Sequence, residues 1–311
     1  MDKTEARSGA WLSILDNLGR SGKPVYLKGD PQTSIVQRLH LPRSVRVGNV
    51  TKTPDGDRLD VELIVSQARH FVSKSNPDFQ QLQAALLDAQ HLGIRVLVTE
   101  TLDKHEIIDV RPDPDPTRGA SLTLSALGEA ADIKVLAALP LTSEISEGEA
   151  AELFWFLSNA DIPFNYPDDG CHARAHKMRR LLIEKGFESY KIWLYGDLQV
   201  DTVNHPDCGV LWTWHVAPTL RVRTGPGSVE LRVIDPSLFT EPVPEEEWIG
   251  VQNDPEAIRK TSSSAVWYRP PNGVMKLYDS DYSKTEEDLE YYRLVLLDRI
   301  ADSGPPPYPC P

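Results

Sequence analysis

Cysteine is scarce in this sequence. Only Cys171, Cys208 and Cys310 occur among 311 residues. A disulfide-stapled scaffold uses more cysteines, and an even number of them. Reduced thiols are therefore the expectation, with a disulfide disfavoured. The three also lack the CxxC or Cys/His spacing of a structural zinc site, so no metal is expected. Long apolar runs are missing as well. No stretch approaches the roughly 18 apolar residues of a membrane-spanning helix. The first residues, MDKTEARSGAWLSILDNLG, carry charges of both signs and no apolar signal core. The expected location is cytoplasmic, or outside the cell by a route without an N-terminal signal peptide, with no membrane partner. An excess of positive charge is also absent: 33 Lys and Arg face 46 Asp and Glu, a net charge of −13. With no basic stripe interleaved with aromatics, nucleic acid is excluded as the main partner.

What is present is an ordinary globular composition, 40% hydrophobic and 25% charged. At this length it supports one large domain or two modest ones. Residues 8–19 predict a helix with Trp11, Leu12, Leu15 and Leu18 on one face. Residues 24–27 and 45–50 read as strands. The run LDVELIVSQARHF (59–71) begins with period-2 alternation and reads as one strand. A helix is expected at about 77–92, ended by Gly93, and a buried strand at 94–99. The stretch Pro112-Asp113-Pro114-Asp115-Pro116 is a stiff breaker. It divides an α+β domain at 1–115 from a linker with helical content at 116–145 and a domain at 146–311. In the last, helices are expected at 147–160, 171–185 and 285–301, and strands at 189–198, 210–222 and 229–235.

The chemistry concentrates in that third segment. Cys171 follows Gly170 and opens a helical pattern. A helix N-terminus favours the thiolate and offers backbone N–H groups to an oxyanion. A thiol nucleophile needs an imidazole and a third group to orient it. His215, among the tryptophans of LWTWHVAPTL, and Asp235, before Pro236 in LRVIDPSLF, meet that need if their strands pair antiparallel. His172 and His176 are rivals for the base. His172 points elsewhere on the cysteine's own helix, and His176 lies just past the (i, i+4) reach.

The runs FNYPDDGCHARAHKMRRLL (164–182), WLYGDL (193–198), LWTWHVA (211–217), RVIDPSLF (232–239) and VWYRPPNGVMKLYD (266–279) closely resemble, in order and spacing, bacterial protein-glutaminases. Residues 59–71, 77–92 and 94–110 resemble that family's propeptide. The resemblance implies a papain/transglutaminase-like cysteine hydrolase core behind a small α+β propeptide-like domain. It implies hydrolysis of glutamine side-chain amides in proteins or peptides, through a cysteine thioester, with no cofactor. It matches Cys171, His215 and Asp235 to the family's catalytic triad. Gly170, Trp212 and Trp214 are further cleft candidates, the tryptophans as indole donors to the oxyanion or as packing. The implied partners are a protein substrate with an accessible glutamine and an intramolecular N-terminal domain over the cleft. Ser66, Gln67 and Ala68 are candidates for a segment that occupies it. Secreted members of the family carry a signal peptide and several disulfides, which this sequence lacks. The alternatives are transglutaminase-like acyl transfer and a delivered deamidase toxin or effector acting on one target protein.

Overall fold

The computed structural model describes residues 3–115, 123–124, 142–273 and 275–308. The chain divides into two compact units: Met1–Arg118 with Leu294–Pro305, and Gly119–Arg293 with Pro306–Cys310. Most of the expected linker, including its helical stretch, lies outside the described residues.

The first unit opens with α1 (Lys3–Ser21), and β1 (Tyr26–Gly29) pairs antiparallel with β2 (Val36–His40). A five-stranded antiparallel sheet follows, in the order β5 (His70–Ser73), β4 (Arg58–Leu63), β3 (Arg43–Lys52), β6 (Arg95–Glu100), β7 (Ile107–Pro112). Helix α2 (Phe79–Leu92) places Leu82, Leu86 and Ala89 on Val45, Leu59, Val61, Val72 and Val96. Gly93 ends that helix at φ 63°, its N–H bonded back to Ala89 and Gln90. A left-handed cap of this kind favours glycine.

Two expectations change here. The apolar face of α1 is Ala10, Ile14 and Leu18, at strict four-residue spacing, while Leu12 and Leu15 are exposed. Trp11 donates instead to Asp298 Oδ1 at 2.8 Å, which helps to group residues 294–305 with this unit. Residues 59–71 are not one strand. Alternation holds through β4, with Leu59, Val61 and Leu63 buried, and then stops. Val65, Ser66, Gln67 and Ala68 are buried in succession, which no strand with one solvated face allows. Val65 takes φ 80°, and the chain turns back into β5. Ser66, Gln67 and Ala68 therefore lie in the irregular stretch between the turn at Ile64 and Val65 and β5.

The second unit is built on a six-stranded sheet. Its path is β13 (Val243–Pro244), β12 (Ser228–Val233), β11 (His205–Gly225), β10 (Tyr190–Thr202), β14 (Ile258–Ser263), and β9 (Ile145–Ser146) joins β11 in parallel. One face receives α3 (Glu147–Ser158) and α4 (Cys171–Glu184). Ala150, Leu153, Phe154, Ala173, Met178 and Leu182 pack there with Leu220, Val222 and Ile234. A capping box between Ser146 and Glu149 starts α3. The opposite face packs Ile192, Leu194, Trp212 and Ala217 on Trp248, from the short helix α5 (Glu245–Gly250). A small sheet of β8 (Thr123–Leu124), β16 (Leu277–Tyr278) and β15 (Val266–Tyr268), and helix α6 (Ser283–Ser303), complete the described elements. Among the described residues, no helix is long and apolar enough to cross a membrane.

Cys208 is disulfide-bonded, against the expectation of reduced thiols, whereas Cys171 forms no disulfide. Cys310 lies outside the described residues. The tail folds back onto the β10–β11 hairpin: Tyr308 N–H donates to Asn204 O at 2.8 Å, and its ring lies 5.4 Å from that of His205. Folding brings this end of the chain to the 204–208 region, a proximity that sequence distance conceals.

Candidate active site

The turn before α4 is held by buried polar groups. Arg174 Nη1 donates to Tyr166 O at 3.1 Å and Asp169 O at 2.6 Å. Gly170 N–H donates to Asp169 Oδ1 at 2.7 Å. Gly170 caps the helix at φ 91°, and a Cβ there would meet the Tyr292 ring at 2.6 Å. Glycine is required on both counts. Cys171 is thereby fixed as the first helical residue, fully buried, with the Val216 N–H directed at its sulfur.

Burial reverses one expectation about this thiol. Loss of solvent pushes its pKa well above the ordinary value; nearby Arg174 pulls it down, while the charges of Asp169 and Asp235 push it up. The helix start does not yield a standing thiolate in this conformation. Desolvation of a charge outweighs a terminal dipole that favours it.

Val216 is the neighbour of His215, and the antiparallel pairing of β11 with β12 brings His215 to Asp235, as the sequence suggested. The register sets Thr219 opposite Val233, and Ile234 N–H donates to Pro218 O at 2.9 Å. His215 Nε2 lies 2.7 Å from Asp235 Oδ2. A carboxylate only accepts, so Nε2 carries the proton. His215 Nδ1 is buried and makes no hydrogen bond among the described residues. Burial alone would raise the Asp235 pKa, but the His215 charge, with hydrogen bonds from His215 and Trp248, holds it below the usual carboxylate range.

The aromatic setting is partly unexpected. His215 stacks between Trp212, centroids 4.4 Å apart, and Trp248, 5.3 Å apart. Strict alternation would separate Trp212 from His215. Yet Val210, Trp212 and Ala217 share one core, so the side-chain phase changes between 212 and 217. The register of β10 on β11 shifts at this point: Tyr195 pairs with Trp214 and Leu198 with Trp212, so β10 carries the extra residue. Trp214 belongs to another group, 5.8 Å from Trp193 and 5.5 Å from Tyr268. Trp248 was missed by the sequence reading. Its indole donates to Asp235 Oδ2 at 2.9 Å. The only signal was a tryptophan in the acidic run EPVPEEEW (241–248).

The rival histidines are engaged elsewhere. His172 Nε2 meets Asp288 Oδ2 at 2.8 Å, under the edge of Trp267. His176 accepts from Lys191 Nζ at 3.0 Å and donates to Asp279 O at 3.1 Å. Ser66, Gln67 and Ala68 lie in the other unit.

A thiol at a helix start, with a buried pair formed by a strand histidine and an aspartate just past the adjoining strand, defines a candidate thiol-hydrolase site on an α+β fold. Residues 145–252 match the glutamine-deamidase family model described as glutaminase. Among solved structures, pro-protein-glutaminase is 23% identical, with a TM-score of 0.60, over 86% of this chain and 97% of that one. Its A47Q2 mutant is 22% identical, with a TM-score of 0.59, over 86% and 98%. The protein-glutaminase from Chryseobacterium proteolyticum is 30% identical, with a TM-score of 0.43, over 55% and 96%. No curated protein matches. The region 145–252, which holds all three predicted triad residues, belongs to the glutaminase family, on a fold shared with pro-protein-glutaminase.

Proposed function

We propose that this chain hydrolyses the side-chain amide of glutamine in proteins, giving glutamate and ammonia, with Cys171, His215 and Asp235 as its machinery on a papain/transglutaminase-like core. The carrying observation is the buried His215–Asp235 pair at 2.7 Å, beside the Val216 N–H aimed at the Cys171 sulfur, inside the glutaminase-family region. Asp235 fixes the tautomer in which Nε2 is protonated and Nδ1 keeps its lone pair. Nδ1 takes the thiol proton as sulfur attacks the amide carbon, and the Cys171 N–H steadies the oxyanion. The proton then passes to the departing nitrogen, ammonia leaves, and a thioester remains. Water, deprotonated by Nδ1, adds to the thioester. Its collapse releases glutamate and returns the thiol.

The N-terminal unit acts, in this reading, as a propeptide that covers the cleft, with the stretch at Ser66, Gln67 and Ala68 as the covering segment. Likeness to a pro-form over most of the chain supports it.

The test is ammonia release from a glutamine-rich protein, using the intact chain and a chain cut at a protease site engineered within residues 116–122. The cut chain is expected to release ammonia faster, with about 1 Da gained per site by amide-to-acid exchange. Cys171→Ala should lower release by at least about 10⁴-fold with unchanged circular dichroism. Activity retained in that variant rejects the mechanism. Cross-linked product with an added primary amine would move the assignment to acyl transfer.

A further inference from the structure

We infer that His70, Glu100 and His105 form a binding site for a divalent transition metal of the zinc class, in the N-terminal unit and outside the glutaminase region. The three side chains offer ligand atoms that all lie within 4.8 Å of one another. Each comes from a different place in the fold. His70 opens β5, Glu100 ends β6, and His105 lies on the loop between β6 and β7. Two imidazoles and one carboxylate are a donor set that suits zinc and leaves a fourth position open.

Glu100 bridges the rings. Its Oε2 lies 2.6 Å from His70 Nδ1 and its Oε1 lies 3.1 Å from His105 Nδ1. Ligands about 2.0–2.1 Å from a tetrahedral ion sit roughly 3.3 Å apart, so small side-chain shifts would admit one. At 2.6 Å the Nδ1–Oε2 contact is a hydrogen bond filled by a proton, and a metal would take that proton's place once the two atoms part to ligand distance. Ser66 Oγ lies 2.7 Å from His70 Nε2. If it accepts from Nε2–H, it fixes the tautomer that leaves the Nδ1 lone pair to a metal, as outer partners of metal-bound histidines do. Burial alone would push the Glu100 pKa up, but the two histidines hold it well below the usual range.

Backbone strain falls at the same place. Val65 takes φ 80° and His105 takes φ 55°. A β-branched residue is an outlier there, and such strain concentrates at ligand clamps. The His105 loop is closed by Thr101 N–H to Glu106 O at 2.9 Å, and Phe71 N–H donates to His105 O at 3.3 Å. An ion here would tie both ends of the stretch carrying Gln67 to the β6–β7 hairpin, through Ser66 and His70 on one side and Glu100 and His105 on the other.

The inference does not rest on the proposed hydrolysis, and its test reads no activity. Full-length protein with Cys171→Ser, which removes a competing thiol, is stripped with chelator and titrated with Zn²⁺ by calorimetry and with Co²⁺ by absorbance. One Zn²⁺ per chain and Co²⁺ bands of a four-coordinate site without sulfur charge transfer are expected. Glu100→Gln and His105→Asn (asparagine tolerates positive φ) should weaken binding by on the order of 100-fold, and Ser66→Ala by about 10-fold. Absence of stoichiometric zinc in the parent overturns the site and leaves a proton-bridged cluster. So does undiminished affinity in both ligand variants, with their fold checked by circular dichroism.

Discussion

Both units set a carboxylate against buried imidazole, and the remaining ring nitrogen separates the two arrangements. In the first unit, His70 has a partner at each nitrogen, Glu100 and Ser66, and Glu100 serves a second ring as well. In the second, Asp235 serves one imidazole and the Trp248 indole, and His215 Nδ1 is buried without a hydrogen bond among the described residues. A ring engaged on both sides is held in place and suits a ligand set. A ring anchored on one side keeps a lone pair for a reacting proton. The same two functional groups therefore support different chemistry, according to what occupies the far nitrogen.

The largest test of this contrast is Asp235→Asn. The amide can present its N–H to Nε2 and favour the wrong tautomer, so kcat should fall by about 10³–10⁴-fold with little change in KM. A loss under tenfold would reduce Asp235 to packing. Next is the thiol. Burial predicts that iodoacetamide labels Cys171 in the intact chain roughly 100-fold more slowly at pH 7 than an exposed cysteine, with the rate still climbing beyond pH 9.0, the ordinary thiol value. Rapid labelling with a midpoint near neutrality would instead indicate a standing thiolate–imidazolium pair.

For the first unit, Glu100→Gln should cost about 2–3 kcal/mol in urea unfolding at neutral pH. The folded-state pKa of Glu100 is depressed, so its stabilisation is present above the unfolded value near 4.5 and fades as pH falls through the folded value. The gap between parent and variant should therefore close in acid, and a gap independent of pH would contradict the ionised bridge. The smallest effect is expected at Trp248→Phe. It keeps a stacked ring and removes the N–H to Asp235, so kcat should drop about tenfold, for a hydrogen bond worth about 1.4 kcal/mol. An equal rise in KM alone would assign Trp248 to substrate binding.

Much of the fold was legible because local rules governed it. The alternation of β4, the helical spacing of buried residues and the Gly93 cap of α2, and the α4 start after Gly170 all follow from backbone geometry and burial periodicity. The failures share a cause. The irregular stretch at 64–69 sits in an apolar run that resembles more strand, and four buried residues in succession depend on what packs around them. Trp212 stacks on His215 where the register of β10 on β11 shifts, and that irregularity belongs to the pairing of two strands. Trp248 reaches Asp235 from thirteen residues away through a helix of six residues, too short to announce itself by periodicity.

By itself, the sequence determined the residue types, their order and the elements that carry them: Cys171 at a helix start, His215 on a strand and Asp235 at the end of one able to pair with it. The protonation preferences, the partner of each ring nitrogen, the Trp248 hydrogen bond and the meeting of His70, Glu100 and His105 were decided by tertiary structure alone. Desolvation and hydrogen bonding depend on the atoms that surround a group, and folding assembles those atoms from distant parts of the chain.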